Sequence, residues 1–259
     1  MINCDDQRNK PEHFIVPPKW VPFPTNIAFR FHEAKKILDN VEVNVSGLSD
    51  FVLIGLVSQD DNTIIEWLGE QNGGSVLYVA LGTELTRSQE EITELALGLE
   101  LFGLPFFWVL RTTDGFELPD GFEERIKGRG LVWRSWAPQF RILSHDSVGG
   151  FLTHCGWSSI IEGLHFDRAL VMLPFQVDQG LNARFFQEKM VGKEIPRDEQ
   201  NGSFTRNSVA ETLKLVILED QGRLFRENAR EIKKIFGDKE LHDRYVDLFL
   251  HYLQNYKTG

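Results

Sequence analysis

The chain has 259 residues, 42% hydrophobic and 25% charged, enough apolar material for a sizeable core and unlike a disordered, fibrous or low-complexity sequence. A formal net charge of −10 argues against a general nucleic-acid or membrane-surface binder, because those need a basic footprint. The two cysteines, Cys4 and Cys155, are too few for a disulfide framework and lack metal-ligand spacing, so we expect a cytoplasmic protein without a metal.

From Met1 to about Phe51 the prolines at 11, 17, 18, 22 and 24 forbid a continuous helix or central strand. Met1 to Glu12 is polar, and no later run approaches the roughly 20 apolar residues of a membrane span, so neither secretion nor an integral membrane segment is expected. The one helical hint, Ile27 to Leu38, puts Phe31, Ala34 and Leu38 on a common face that needs a packing partner. From about Val52 short apolar runs alternate with amphipathic segments, which predicts strand–helix units and a parallel sheet. Ser75–Leu81 reads as a strand covered on both faces. Ser88 and Glu91 form a capping box before a helix that Gly103 and Pro105 stop. Further strands are expected at Phe106–Leu110, Leu131–Trp133, Gly149–Thr153 and Leu170–Leu173. Helices are expected at Ser158–Leu164, Asn182–Met190, Ser208–Glu219, Leu224–Phe236 and Leu241–Tyr256.

The chemistry concentrates between Trp136 and Gln179. There a strand runs directly into His154-Cys155-Gly156-Trp157-Ser158-Ser159, and a helix follows. Ligands of parallel sheets bind beyond the carboxyl ends of strands, and a helix starting there offers unpaired N–H groups to an anion. Gly156 clears space for a phosphate, Ser158 and Ser159 add hydroxyl donors, and His154 adds another. Such local donors would let an acidic protein hold a diphosphate, with no carboxylate cage for Mg²⁺ nearby. Glu162 falls on the same helical face as Ser158 and Ser159, where a carboxylate can accept from ribose hydroxyls. Trp136 offers a flat surface for a base.

This 44-residue segment, Trp136-Ala137-Pro138-Gln139 through Asp178-Gln179, resembles in length and order the signature box of plant secondary-product UDP-glycosyltransferases. The resemblance extends from about Thr63 to the C-terminus. It implies the GT-B architecture, here a C-terminal Rossmann-like domain with a parallel sheet flanked by helices, beside an incomplete N-terminal domain. Residues 1–51 would be a remnant of the acceptor domain plus linker, and 52–259 the UDP-sugar donor-binding domain. By the resemblance Trp136 stacks on uracil, Ala137 contacts its edge and Gln139 sits beside the uridine. His154, Gly156, Trp157 and Ser159 surround the diphosphate, Glu162 binds ribose, Asp178 and Gln179 hold sugar hydroxyls, and Thr83 lies near the phosphates.

The implied activity is transfer of a hexose from a UDP-sugar to a hydroxyl of a small plant metabolite or its glycoside, with the UDP-sugar as donor substrate and no metal. Three features depart from the family pattern. Ser158 stands where asparagine is common, as in the subgroup that extends sugars on flavonoids, terpenoids or saponins. Asp167-Arg168-Ala169 stands where Gly-Val-Pro is usual. The segment carrying the family's catalytic His and its Asp partner is not matched, so no catalytic residue is assigned; nothing around His13 or His32 fits that motif. Inverting transfer needs a base at the acceptor as well as stabilisation of the leaving diphosphate, so a catalytically silent UDP-binding or interaction module is the alternative. Truncation is also expected to favour self-association. A nicotinamide oxidoreductase is disfavoured, since no G-x-G-x-x-G follows an early strand.

Overall fold

The computed structural model describes residues 10–16, 27–39, 59–82, 88–111, 115–236 and 238–256. The expected domain boundary near residue 51 and the candidate Thr83 lie outside the described residues. In chain order the elements are α1 (Phe31–Asp39), α2 (Gln59–Gly69), β1 (Val76–Ala80), α3 (Gln89–Phe102), β2 (Phe106–Val109), α4 (Phe122–Ile126) and β3 (Gly130–Trp133). They continue with α5 (Gln139–Ser144), β4 (Val148–Thr153), α6 (Trp157–His165), β5 (Ala169–Met172), α7 (Gln179–Glu188), β6 (Gly192–Glu194), α8 (Arg206–Ile217), α9 (Asp220–Phe236) and α10 (Lys239–Tyr256).

The strands form one parallel sheet in the order β3-β2-β1-β4-β5-β6. Burial follows the pleat. Along β1, Leu77 and Val79 join the apolar cluster that includes Ile92, Leu95 and Leu99 of α3 and Val209 and Leu213 of α8. Val76, Tyr78 and Ala80 point the other way, into a cluster with Ile142, Ile160 and Leu164 of α5 and α6. A sheet buried on both faces explains why its central strands read as unbroken apolar runs. The Ser88 capping box forms as expected, with Ser88 Oγ accepting from Glu91 N at 3.2 Å, and Gly103 closes α3 with φ 83°.

The structure corrects several boundaries. α7 begins at Gln179, not Asn182, which makes Asp178 its N-cap. Sequence reasoning missed β6, whose Gly-Lys-Glu is too short and polar to show a strand pattern, and the short helices α4 and α5. The helix expected over 27–38 begins at Phe31, and ion pairs link it to the sheet domain. Its Glu33 meets Arg184 of α7, and Arg30 just before it donates to both carboxylate oxygens of Glu194 in β6 at 2.5 and 2.9 Å.

Candidate functional site: a crevice at the β1/β4 switch point

β1, β2 and β3 step outward in one direction, and β4 then returns to the opposite side of β1. At such a switch point the loops beyond the strand ends diverge and leave a crevice. A cavity of about 230 Å³ lies there, lined by Tyr78, Gly82, Trp136, Gln139, His154 and Ser159 among others. A larger cavity of about 450 Å³ sits between α1 and the first turn of α3, but Glu90, Glu91 and Glu94 line it, the wrong sign for a phosphate ligand.

The turn from β4 into α6 borders the crevice through His154 and Ser159. Cys155 has φ 69°, a left-handed conformation unusual for a residue with a side chain, and it reverses the chain directly after the strand. Thr153 Oγ1 accepts from Cys155 N at 3.2 Å, and Asn182 of α7 donates to Cys155 O at 3.1 Å, so the turn is held from both sides. The Cys155 thiol is fully buried; that burial, reinforced by the Glu194 charge, pushes its pKa well up. It is a packed residue without nucleophilic character.

No side chain caps α6, and its first intrahelical bond runs from Ile160 N to Gly156 O. The N–H groups of Trp157, Ser158 and Ser159 therefore have no helical acceptor and carry the positive end of the helix dipole. The His154 ring lies between two glycines: a Cβ on Gly82 would meet Nε2 at 3.2 Å, and one on Gly156 at 2.7 Å. Gly156 is thus required by the histidine beside it, a constraint additional to the ligand clearance expected from sequence. Trp157 is half exposed and packs on Phe186, with ring centroids 5.6 Å apart.

On the other side of the crevice, Gln139 at the start of α5 is a hub. Its Nε2 donates to Glu162 Oε2 at 2.9 Å and to Ser159 Oγ at 3.4 Å, and its Oε1 accepts from Tyr78 Oη at 3.4 Å. Ala137 lines the same space, and Trp136 is 46% exposed beside it with its carbonyl accepting from Trp133 Nε1 at 3.0 Å. Burial, with the Glu162 charge as a second cause, raises the Tyr78 pKa far beyond neutral pH.

The two candidates at the box end are placed differently. Asp178 is exposed, and its Oδ2 accepts from Asn182 at 2.9 Å. Gln179 is buried, and its Oε1 accepts from Phe175 N and Gln176 N at 3.0 and 3.1 Å. Those two bonds fix the amide orientation, with Oε1 turned to the backbone.

The unusual Asp167-Arg168 pair makes a structural turn. Asp167 takes a left-handed φ of 59°, and Arg168 donates to the carbonyls of Leu143, Val148 and His145 at 2.8, 2.5 and 3.2 Å. His145 sits instead at the C-cap of α5, with Nδ1 2.8 Å from Ser147 Oγ. His32 is likewise outside the crevice lining, with Nδ1 3.2 Å from Glu199 O.

Sequence reasoning missed Tyr78, Gly82 and Arg111 as crevice residues. The available signals were a hydroxyl-bearing aromatic inside an apolar strand, which must find a partner, and polar or small residues just past strand ends. Among the described residues no group of three metal-ligating side chains occurs, and no helix is long and apolar enough to cross a membrane.

Comparison with known proteins gives a consistent set of likenesses. The family model for UDP-glucoronosyl and UDP-glucosyl transferase matches residues 53–252. UDP-glycosyltransferase 91B1 of Arabidopsis thaliana is 44% identical over 311 residues, covering 100% of this chain and 67% of the relative. Soyasaponin III rhamnosyltransferase of Glycine max is 49% identical over 208 residues, 78% of this chain and 44% of the relative. The structure of Phytolacca americana UGT2 complexed with UDP-2fluoro-glucose and pterostilbene superimposes with a TM-score of 0.62 at 39% identity, covering 70% of this chain and 40% of that one. The chain spans about two thirds of the length of the first curated relatives it matches.

Proposed function

Since the chain belongs to the UDP-glucoronosyl and UDP-glucosyl transferase family, we propose that its crevice binds the UDP part of a UDP-sugar. Its reaction would transfer a hexose to a hydroxyl of a small plant metabolite or its glycoside. Uracil would lie on Trp136 beside Ala137, and ribose against Glu162 and Gln139. The diphosphate would face His154, Gly156, Trp157, Ser158 and Ser159, and the sugar would approach Asp178 and the Nε2 amide of Gln179. Thr83 is retained as a phosphate-side candidate.

One observation carries this reading: the uncapped N-terminus of α6 opens at the β1/β4 switch point, where a parallel sheet receives its ligand. It explains how a protein of net charge −10 could hold a diphosphate with backbone donors in place of a metal. The similar Phytolacca americana UGT2, in complex with UDP-2fluoro-glucose and pterostilbene, pairs a nucleotide sugar with a small molecule, which supports the same donor and acceptor classes. We keep residues 52–259 as the donor-binding unit and 1–51 as acceptor-side sequence, with α1 docked on the donor unit. A cytoplasmic location follows from the cysteine usage. Self-association belongs to the same proposal, because α10 exposes Tyr245, Val246, Leu248 and Phe249; sedimentation at increasing concentration measures it.

Calorimetric titration with UDP tests the site. Binding to the wild type that falls roughly tenfold or more in His154→Ala and in Glu162→Ala is expected, the loss of a hydrogen bond to a charged partner. Unchanged affinity in both variants would remove the basis for the assignment. UDP release with a panel of flavonoid and terpenoid glycosides then separates the transferase from a silent UDP-binding module, which would bind without turnover.

A further inference from the structure

We infer that Tyr78 is a positioning residue of the uridine site, holding the Gln139 amide in the orientation that aims the Glu162 carboxylate at the ribose. The inference rests on the proposed role of Glu162.

Tyr78 lies mid-strand in β1, 1% exposed, with its ring stacked between Phe151 at 5.1 Å and Phe107 at 6.1 Å. A phenylalanine would fill that space equally well, so packing does not account for the hydroxyl. A buried phenol needs a hydrogen-bond partner, and the partner here is Gln139 Oε1 at 3.4 Å. Gln139 joins three elements: Tyr78 on β1, its own place at the start of α5, and Ser159 and Glu162 on α6.

A glutamine amide has two ends of similar shape and opposite polarity. With Oε1 against the Tyr78 hydroxyl, Nε2 faces Glu162 Oε2 at 2.9 Å. Turned over, the amide oxygen would oppose a carboxylate oxygen at hydrogen-bond distance, acceptor against acceptor. The Tyr78 donor adds to the Glu162 acceptor in favouring this end, because it satisfies Oε1 only when Nε2 faces the carboxylate. Glu162 then has one oxygen tied to Gln139 and the other available as acceptor for a sugar diol. Burial and the Glu162 charge both raise the Tyr78 pKa, so the phenol remains a donor wherever that carboxylate is ionised.

The discriminating experiment compares UDP with 2′,3′-dideoxyuridine diphosphate, which lacks the diol. Tyr78→Phe should bind UDP roughly two- to tenfold more weakly than the wild type, the effect of one neutral hydrogen bond. Its affinity for the dideoxy nucleotide should be unchanged, since the hydroxyls through which Tyr78 acts are absent. Gln139→Ala should show the same selective loss, and adding Tyr78→Phe to it should have no further effect. Equal weakening toward both nucleotides would mean that Tyr78 only packs, and would overturn the inference. So would unaltered UDP affinity in Tyr78→Phe while Glu162→Ala loses binding, a result that leaves the site itself intact. If Glu162→Ala bound UDP like the wild type, the ribose assignment would fall and the positioning role with it.

Discussion

Arg184 on α7 grips Glu33 on α1 with two hydrogen bonds, Nη1 to Oε1 at 3.1 Å and Nη2 to Oε2 at 2.6 Å, across 151 residues of sequence. Both side chains are largely buried, at 16% and 9% exposure. Glu33 Oε2 also accepts from Arg30 N at 2.8 Å, and Gly180 leaves room for the carboxylate, since a Cβ there would lie 2.1 Å from Oε1. The pair therefore seats α1 beside the Asp178–Gln179 end of the proposed site.

Glu33→Gln keeps an acceptor and removes the charge, and should lower unfolding free energy at neutral pH by about 2 kcal/mol, as for a hydrogen bond to a charged group. Burial alone would raise the Glu33 pKa, but the Arg184 hydrogen bonds and charge outweigh it and hold it below the usual carboxylate value. A depressed folded-state pKa contributes stability that is complete above the unfolded value and is lost as pH falls through the folded one. The stability difference between wild type and Glu33→Gln should accordingly be constant near neutrality and vanish in acid below the ordinary carboxylate range. Urea unfolding at a series of pH values measures it; a difference that grows on acidification would contradict the assignment.

Gly156→Ala should damage nucleotide binding more than folding. The new methyl would lie 2.7 Å from His154 Nε2, so the ring that lines the crevice must shift. We expect UDP affinity to drop roughly tenfold or more, the effect of one lost charge-assisted hydrogen bond. The melting temperature should change by only a few degrees. Calorimetry and a thermal melt on the same preparation compare the two effects.

Arg168→Ala should destabilise the fold by about 3 kcal/mol, because the carbonyls of Leu143, His145 and Val148 lose their donor together. The carbonyls of Leu143 and His145 lie at the end of α5, the helix that presents Gln139, so UDP binding should weaken as well. Arg168→Lys cannot reproduce the three-way donation and should recover less than half of the stability. Denaturant unfolding of the two variants checks this order.

Cys155 should resist thiol reagents in the native state. The side chain is fully buried and its raised pKa leaves almost no thiolate. Peptide mass spectrometry after alkylation should find Cys155 unmodified without denaturant and modified across the urea transition. Labelling in native buffer would show that the β4–α6 turn opens.

Where neighbours in the chain decide the structure, the residues themselves were informative. Ser88 and Glu91 lie within one turn, and their reciprocal capping is formed as the spacing requires. The strand–turn–helix around His154 was legible for the same reason: the apolar run ends, Gly156 follows, and the helical period begins at once. The family also followed from the sequence, because the box from Trp136 to Gln179 keeps its chemistry at fixed intervals along one chain segment.

Tertiary structure alone decided the rest. Nothing local marks Glu33 as the partner of Arg184, Tyr78 as the neighbour of Gln139, or Arg168 as a donor at the end of α5. β6 exists because the β5 edge supplies its hydrogen bonds, although Gly-Lys-Glu has no strand pattern of its own. Periodicity and capping act over a few residues and leave their mark in the order of side chains. Pairing between distant groups depends on which surfaces the sheet order brings together, and that order is a property of the folded chain.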